Sequence, residues 1–359
     1  MITLKSQADV KLDNLPAYLA SIEDRLHSFQ ARSSRADRHI EFVFPFGLGR
    51  FDIEPGRLRM SAHAPERDGL ARVKDLLATA VQVYAKAEAP VIRWQGDLAD
   101  ETRLAQFREM TVTGVSDLTA RMKRVRLAGD DLERFARFGG MHVRVLFPTK
   151  AVPEPEWPTL GANGLAAWPP EHRWPTPRAY TIRRLDVENG WMHVDFLIHA
   201  GESVGSRWAE AARPGMKIGI MGPVGRPVPM DAQWYVLGAD ETGLPALSRM
   251  LETLPPATRG MAFVEVADAA ERQAIDNRTG IELHWLYRDD APAGQDDRLA
   301  RAVLAVEWPR DLACFGWFAS EAEPASLVRD TWRSERRLGR DQTLTATYWR
   351  RGASGFMAG

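Results

Sequence analysis

Two hydrophobic periodicities follow one another along this chain, and their order restricts its architecture more than any single motif does. From about Phe107 to Met230 the sequence reads as short strands separated by turns. Residues 121–127, 141–147, 178–185, 192–199 and 217–221 carry β-type residues or period-2 alternation. Only 206–212 reads as helix there, and a Pro- and Trp-rich stretch, 152–177, is too long and too proline-dense for regular structure. These features predict an antiparallel β-barrel with one large loop. From about Ala232 the pattern changes. Strands at 235–238, 261–267, 282–286, 313–319 and 343–349 alternate with helices at 244–254, 270–276, 297–305 and 325–337. Such alternation predicts a doubly wound, mostly parallel α/β sheet whose ligand crevice lies at the carboxyl ends of its strands.

A third pattern precedes both. A strand at 2–10, a helix at 15–29, extended runs at 39–46, 49–53 and 58–64, a helix at 67–87 and a closing strand at 91–94 give the order β-α-β-β-β-α-β. That order describes a small α+β sandwich with helices on one face of an antiparallel sheet, and it carries no catalytic motif. The expected division is therefore an α+β accessory domain at 1–96, a barrel at 107–230 and an α/β domain at 231–359. The length of 359 residues agrees, at roughly 150 residues per domain.

Composition narrows the chemistry. Lys+Arg 47 against Asp+Glu 48 leaves a net charge of -1, so no overall field draws the chain to nucleic acid or to an anionic membrane, although a local basic pocket stays open. The single cysteine, Cys314, excludes a disulfide framework and an iron–sulfur cluster. None of the eight histidines lies at i, i+4 on a helix face or in an HExxH pattern, so no protein-ligated metal is expected. Redox chemistry would then need a bound organic cofactor. No apolar run approaches eighteen residues and the amino terminus lacks a signal-peptide pattern, which predicts no membrane span and a cytoplasmic address.

The densest chemistry lies at 177–183. Arg178, then Tyr180, then Thr181 on one strand form an arrangement able to hold a flavin diphosphate, stack on its ring and hydrogen-bond near its reactive nitrogen. The same run also reads as a barrel strand with a surface arginine and a core tyrosine. Past the strand that ends near His199, a glycine-containing turn leads into a helix start at Val204, Gly205 and Ser206, with Ser206 expected as N-cap and backbone N–H groups pointing outward. In the first strand-to-helix turn of the third block, Leu237 to Pro245, two carboxylates, Asp240 and Glu241, stand where most dinucleotide folds place GxGxxG. They would repel a diphosphate, though an acid there is able to bond a nicotinamide ribose.

The pieces RAYTIR at 178–183, VDFLIH at 194–199, GSRWA at 205–209, RPGMKIGIMGPVG at 213–225, LGADETGLPAL at 237–247, FVEVAD at 263–268 and YWRRG at 348–352 resemble the siderophore-interacting proteins. These are ferredoxin-reductase-like flavoproteins that reduce ferric siderophores, and the resemblance covers about Phe107 to Gly352. The acidic turn departs modestly from the family's usual Gly-Asp-Glu-Thr-Ala-Leu-Pro at Ala239 and Gly243. The first block resembles a small domain of unassigned function that is sometimes fused ahead of such reductases.

The resemblance implies one FAD in the barrel. Arg178 and the backbone of Val204, Gly205 and Ser206 would hold its diphosphate, Tyr180 would lie along the ring and Thr181 near N5. Asp195 and His199 would complete the contacts, and Trp349 would cover the flavin or its adenine. Asp240 and Glu241 would face the nicotinamide. The implied reaction is reduction of FAD by NADPH, NADH or reduced ferredoxin, then electron transfer to Fe(III) in its chelator, with no side chain needed as acid or base. Because a ferric siderophore is usually anionic, Lys150, Arg226 and Arg350 are the candidates for binding it, and each also reads as an ordinary solvated charge. A general flavin or ferric-chelate reductase and a non-catalytic siderophore-binding protein are the rival readings.

Overall fold

The computed structural model describes residues 3–137, 140–199, 203–289 and 291–353. The chain divides into two units, 1–107 with 155–174, and 108–154 with 175–359.

In the first unit, strand β1 (Leu4–Lys11) leads to helix α1 (Leu15–His27), strands β2 (Arg32–Ala36), β3 (His39–Phe44), β4 (Gly47–Glu54) and β5 (Arg57–Ala64), helix α2 (Arg67–Tyr84) and strand β6 (Gln95–Gly96). The antiparallel sheet runs β2-β3-β4-β5-β1-β6. Alternation decides its two faces. Ile40, Phe42, Phe44, Leu58, Met60 and Val10 are buried against Leu70, Val73, Leu77 and Val81, one face of α2 at helical spacing. Residues of opposite parity carry the ion pairs Arg57–Asp9, Arg59–Asp9 and Arg50–Asp52. The sequence pattern lacks β2, whose five residues are all exposed and so show no alternation. As an edge strand carrying Arg32 and Arg35 it is protected against pairing with another chain.

The second unit begins with β7 (Phe107–Asp117), β8 (Met122–Ala128), a short helix α3 (Glu133–Arg137) and β9 (His142–Phe147). The chain then leaves for a two-stranded hairpin, β10 (Thr159–Leu160) with β11 (Ala166–Ala167), that belongs to the first unit. There Leu165 joins the first core and the Trp94 indole donates to Asn163 O at 3.0 Å. This is where the Pro- and Trp-rich stretch goes. The chain returns as β12 (Thr176–Asp186), β13 (Trp191–Leu197), helix α4 (Val204–Ala211) and β14 (Lys217–Val224).

Six strands close a barrel in the order β12-β13-β8-β7-β14-β9. Val125, Leu127, Val143, Val145, Ile182, Val194, Phe196 and Ile220 fill it at period 2. Of the six, sequence reading missed β7. An inward Arg108, buried and donating to Asp131 O at 3.0 Å and to Oδ2 at 2.6 Å, interrupts the apolar alternation with Met110 and Val112.

The remainder is a five-stranded parallel sheet, β17-β16-β15-β18-β19, made of β15 (Trp234–Ala239), β16 (Arg259–Val266), β17 (Gly280–Tyr287), β18 (Cys314–Glu321) and β19 (Thr343–Trp349). Helix α5 (Leu244–Thr253) covers one face; α6 (Arg298–Leu304) and α7 (Ala322–Asp330) cover the other. Both faces are therefore dry, and β15 and β18 read as continuous apolar runs.

The helix expected at 270–276 is only a 3₁₀ turn, Ala269–Glu271. Tertiary contacts override its local propensity, since Ile275 packs into the core under α5 and Arg278 N donates to Leu251 O. The last helix starts at Ala322 rather than 325, capped by the Glu321 carboxylate on Glu323 N, and ends in a π-helical turn, Thr331–Glu335, around the buried Trp332.

Candidate functional site

Strand β12 carries the first three candidates. Arg178 is half-buried and donates to Pro177 O at 2.7 Å, and no carboxylate among the described residues lies within ion-pair distance of it. Burial holds its pKa below the usual arginine value, the mark of a cation short of a counter-charge. The Tyr180 ring lies 4.5 Å from that of Phe196 and edge-on to Phe147 at 5.8 Å, and burial pushes its phenol up. Gly205, in the first turn of α4, allows this: a Cβ there would stand 1.9 Å from Tyr180 Oη. Thr181 is buried and pairs with His142 across the β12/β9 ladder.

Helix α4 begins at Val204, so Ser203 holds the N-cap position, and its side chain makes no capping hydrogen bond. Ser206 lies inside the helix, where it is buried. Its Oγ is 3.2 Å from His199 N, which donates to it, and 3.3 Å from His199 O, which accepts from it. The N-cap assignment of Ser206 is thus corrected: the hydroxyl fastens α4 to the end of β13, and the N-cap residue Ser203 offers the first-turn backbone N–H groups no side-chain acceptor. His199 is exposed, and residues 200–202 of the expected glycine-containing turn lie outside the described residues.

Asp195 is placed differently from the expectation. It is buried and takes a bidentate pair from Arg124, 2.7 Å at each oxygen, on the neighbouring strand β8. A carboxylate enclosed in this way is a structural counter-charge, not an exposed contact for a cofactor.

At the carboxyl edge of the sheet both predicted acids also turn inward. Asp240 accepts from Thr242 N at 2.9 Å, Gly243 N at 3.3 Å and the Trp349 indole Nε1 at 2.7 Å. Burial, then the neighbouring Glu241, raises its pKa. Glu241 is held by Arg288, whose Nη1 reaches its Oε2 at 2.8 Å and Glu265 Oε1 at 3.2 Å. Neither acid is presented to a ribose. Trp349 is spent on Asp240, and Gly294 lies over it so closely that a Cβ there would meet the indole at 3.0 Å and Glu321 at 2.8 Å. Arg351 N donates to Glu321 Oε1 at 3.0 Å. The strand order reverses between β15 and β18, so the acidic turn, Glu321 and the chain's own Trp349 occupy the switch point.

Of the three basic candidates, two come to one end of the barrel. Arg226 follows β14, whose Val224 pairs with His142, and Arg350 follows Tyr348, whose hydroxyl bonds His142 Nε2. Lys150 lies beyond Phe147, at the far end of β9, roughly 20 Å of extended strand away. Of the three candidates, Lys150 therefore stands apart from Arg226 and Arg350. Arg226 also donates to Arg340 O at 2.6 Å.

Sequence reasoning missed His142. It links the start of β9, the register partner of Thr181, to the terminal Tyr348, and no periodicity or spacing marks it. Burial, then Arg249, lowers its pKa from 6.5 to about 4. The unfolded chain therefore binds the extra proton between those values, so this histidine's stabilisation is complete above pH 6.5 and lost as pH falls toward 4, on the order of 3 kcal/mol in full. Glu265 runs oppositely. Burial raises it to about 7, so its contribution fades as pH rises from 4.5 through 7. Denaturant titrations from pH 4 to 7 are expected to show a shallower acid limb for His142→Gln than for the parent chain; superimposable acid limbs would remove His142 from this account.

These residues fit FAD. A half-buried arginine without a carboxylate partner among the described residues, a helix start that its N-cap side chain leaves uncapped, and a tyrosine on the same strand as the arginine are features a diphosphate and a flat ring would satisfy.

Comparison with known proteins places the same segments. Residues 111–227 match the family described as Siderophore-interacting FAD-binding domain, residues 232–352 that described as Siderophore-interacting protein, and residues 7–95 one described as an uncharacterized protein conserved in bacteria. The chain is similar to the ferric vibriobactin reductase of Vibrio cholerae, 33% identical over 233 residues, which are 64% of this chain and 84% of that one. It is likewise similar to the NADPH-dependent ferric-chelate reductase of Escherichia coli, 32% identical over 251 residues, 68% of this chain and 93% of the relative. A siderophore utilization protein from T. fusca superposes with a TM-score of 0.59 at 35% identity, covering 71% of this chain and 97% of that structure.

Proposed function

The chain belongs to the siderophore-interacting protein family, and from that premise we propose that it is an FAD-dependent ferric-siderophore reductase that releases iron as Fe(II). One observation supports this reading above the others: Arg178, a half-buried cation with no carboxylate partner, stands on β12 inside the segment that matches the FAD-binding family. The chemistry FAD supplies when bound is acceptance of an electron pair and its delivery, in single-electron steps, to Fe(III). Arg178 and the start of α4 would hold the diphosphate, Tyr180 would pack against the flavin, and Thr181 with the His142–Tyr348 pair would lie near its ring. Arg226 and Arg350 attract an anionic ferric chelate to the same end of the barrel. Fe(II) binds hard oxygen chelators less well than Fe(III), so reduction amounts to release.

In this reading 1–96 is an accessory domain, 107–230 holds FAD and 231–359 meets the electron donor. The donor is NADPH or NADH, with reduced ferredoxin as the other candidate. Asp240 and Glu241, turned inward where a phosphate loop usually stands, favour a donor that binds briefly. We place the reaction in the cytoplasm; no helix among the described residues is long and apolar enough to cross a membrane. A second reading, a ferric-chelate reductase with little siderophore preference, is favoured by the name of the Escherichia coli relative.

Purified protein is expected to be yellow. Its reduced form, mixed without oxygen with ferric siderophores and with simple ferric chelates, is expected to recover flavin absorbance, and the rate ratio separates the two readings. A colourless protein that takes up no FAD would leave only a binding role. Arg178→Ala is expected to weaken FAD retention about tenfold to a hundredfold, by loss of a charge-assisted contact. Equal flavin content after exhaustive dialysis would remove Arg178 from the diphosphate site.

A further inference from the structure

Phe147 ends β9, Thr176 begins β12, and these two residues face each other in the ladder. All of 148–175 lies between them, several times more chain than two paired antiparallel strands need for a connection. The excursion is not loose. Leu165 packs on the core of the first unit, the Trp94 indole donates to Asn163 O at 3.0 Å, and Leu160 N donates to Thr102 O at 3.0 Å. The Trp157 ring centre stands 5.5 Å from that of Phe107. Gly164 shows how close the fit is: its φ is +79°, and a Cβ on it would stand 2.8 Å from Trp94 Nε1. At the base Arg173 pairs with Glu156, so the segment starts and ends at neighbouring points. All of these partners belong to 1–107 or to 155–174.

The exit from the segment bears on the flavin site. Trp174 is its last residue, Thr176 opens β12, and Arg178 is the third residue of that strand, opposite Val145. The end of a strand ladder frays unless something fixes the chain that feeds it. With 155–174 built into the first unit, only Pro175 separates a fixed point from β12. Were the segment released, a long irregular loop would close the same ladder end, and the entropy of closure grows with loop length. Arg178, close to that end, is the group whose placement would suffer.

We propose that the first unit is a clamp for the flavin site: by taking 155–174 into its own core it holds the start of β12, and so positions Arg178 for the diphosphate. Trp94, Gly164 and Leu165 are then positioning residues, acting through the chain rather than on the ligand. Resting on the reading of Arg178 as a diphosphate ligand, this role asks for no ligand of 1–96 itself. Linkage makes the effect reciprocal: FAD tightens the hold on the segment by the same factor by which that hold improves FAD affinity.

The test uses the full-length protein, freed of flavin and titrated with FAD. In one variant a Gly/Ser linker of equal length replaces 155–174; in two others, Gly164→Val and Leu165→Asp, the segment stays and its seat is spoiled. The Kd for FAD is expected to rise about threefold to thirtyfold in all three. Leu165→Met should keep the parent Kd, and so should Ile22→Ala, which weakens the same core from α1. A first unit that is merely less stable would not separate these two groups. Hydrogen exchange within 155–174 of the parent is expected to slow when FAD binds. A parent-like Kd in the linker variant overturns the proposal, as does exchange in 155–174 that FAD leaves unchanged. Where the linker variant fails to fold, the two point variants carry the same decision. A parent that takes up no FAD sinks the flavin reading and the clamp together, whereas a flavin-binding parent whose variants bind equally well sinks the clamp alone.

Discussion

Replacing Arg288 with methionine is expected to destabilise the second unit by about 3–5 kcal/mol at pH 7. Arg288, Glu241 and Glu265 are each about 5% exposed, and the guanidinium is the cation that the two carboxylates share. Removing it leaves both acids in a dry site beside the buried Asp240, where an uncompensated charge costs far more than the ion pair itself contributed. The loss has a pH signature. Glu265 already stands near 7 with the arginine present, so without it protonation becomes the cheaper state, and the deficit should shrink as pH is lowered to about 5. Urea unfolding of the variant at pH 7 and pH 5 checks this, with Arg288→Met/Glu241→Gln/Glu265→Gln expected to recover most of the loss. Equal stability of parent and single variant at pH 7 would mean the triad is not the closed ionic unit described.

Gly205→Ala is expected to have the second large effect, on the cradle itself. The added methyl would stand 1.9 Å from Tyr180 Oη and 2.9 Å from Cζ, and the ring has Phe196 and Phe147 on its other sides. Either the ring or the first turn of α4 must shift, at a cost of about 1–3 kcal/mol, and each is a group proposed above to hold the flavin. FAD retention should fall along with stability. Tyr180→Phe in the same chain removes the closest atom, so a double-mutant cycle should show partial rescue. Additive effects would place the clash elsewhere.

Particular residues show how far the sequence reaches. Alternation in 178–185, 192–199 and 217–221 marked barrel strands because their inward positions are apolar, and continuous apolar runs marked β15 and β18 because both faces of that sheet are covered. β7 was hidden by one buried arginine that Asp131 satisfies from a distant part of the chain. Tyr180 and Gly205 were legible as candidates for one site, but not as a pair in which the glycine makes room for the phenol. Asp195, Asp240 and Glu241 were legible as carboxylates in meaningful places. Their partners, Arg124, Trp349 and Arg288, come from other strands or from the end of the chain, and those partners decide that the acids are internal ties rather than contacts.

The excursion between β9 and β12 makes the same point at larger scale. Its prolines and tryptophans announce irregular chain, but only the folded structure shows 155–174 built into the first unit, with Leu165 in that core. The sequence by itself determined the succession of α+β, barrel and α/β architectures and the need for an organic cofactor, because periodicity and residue chemistry are local properties. Which charges are spent and which remain available was decided by tertiary structure alone. Arg124, Arg178 and Arg288 are equivalent as letters, and they differ only in whether folding brings a carboxylate within reach.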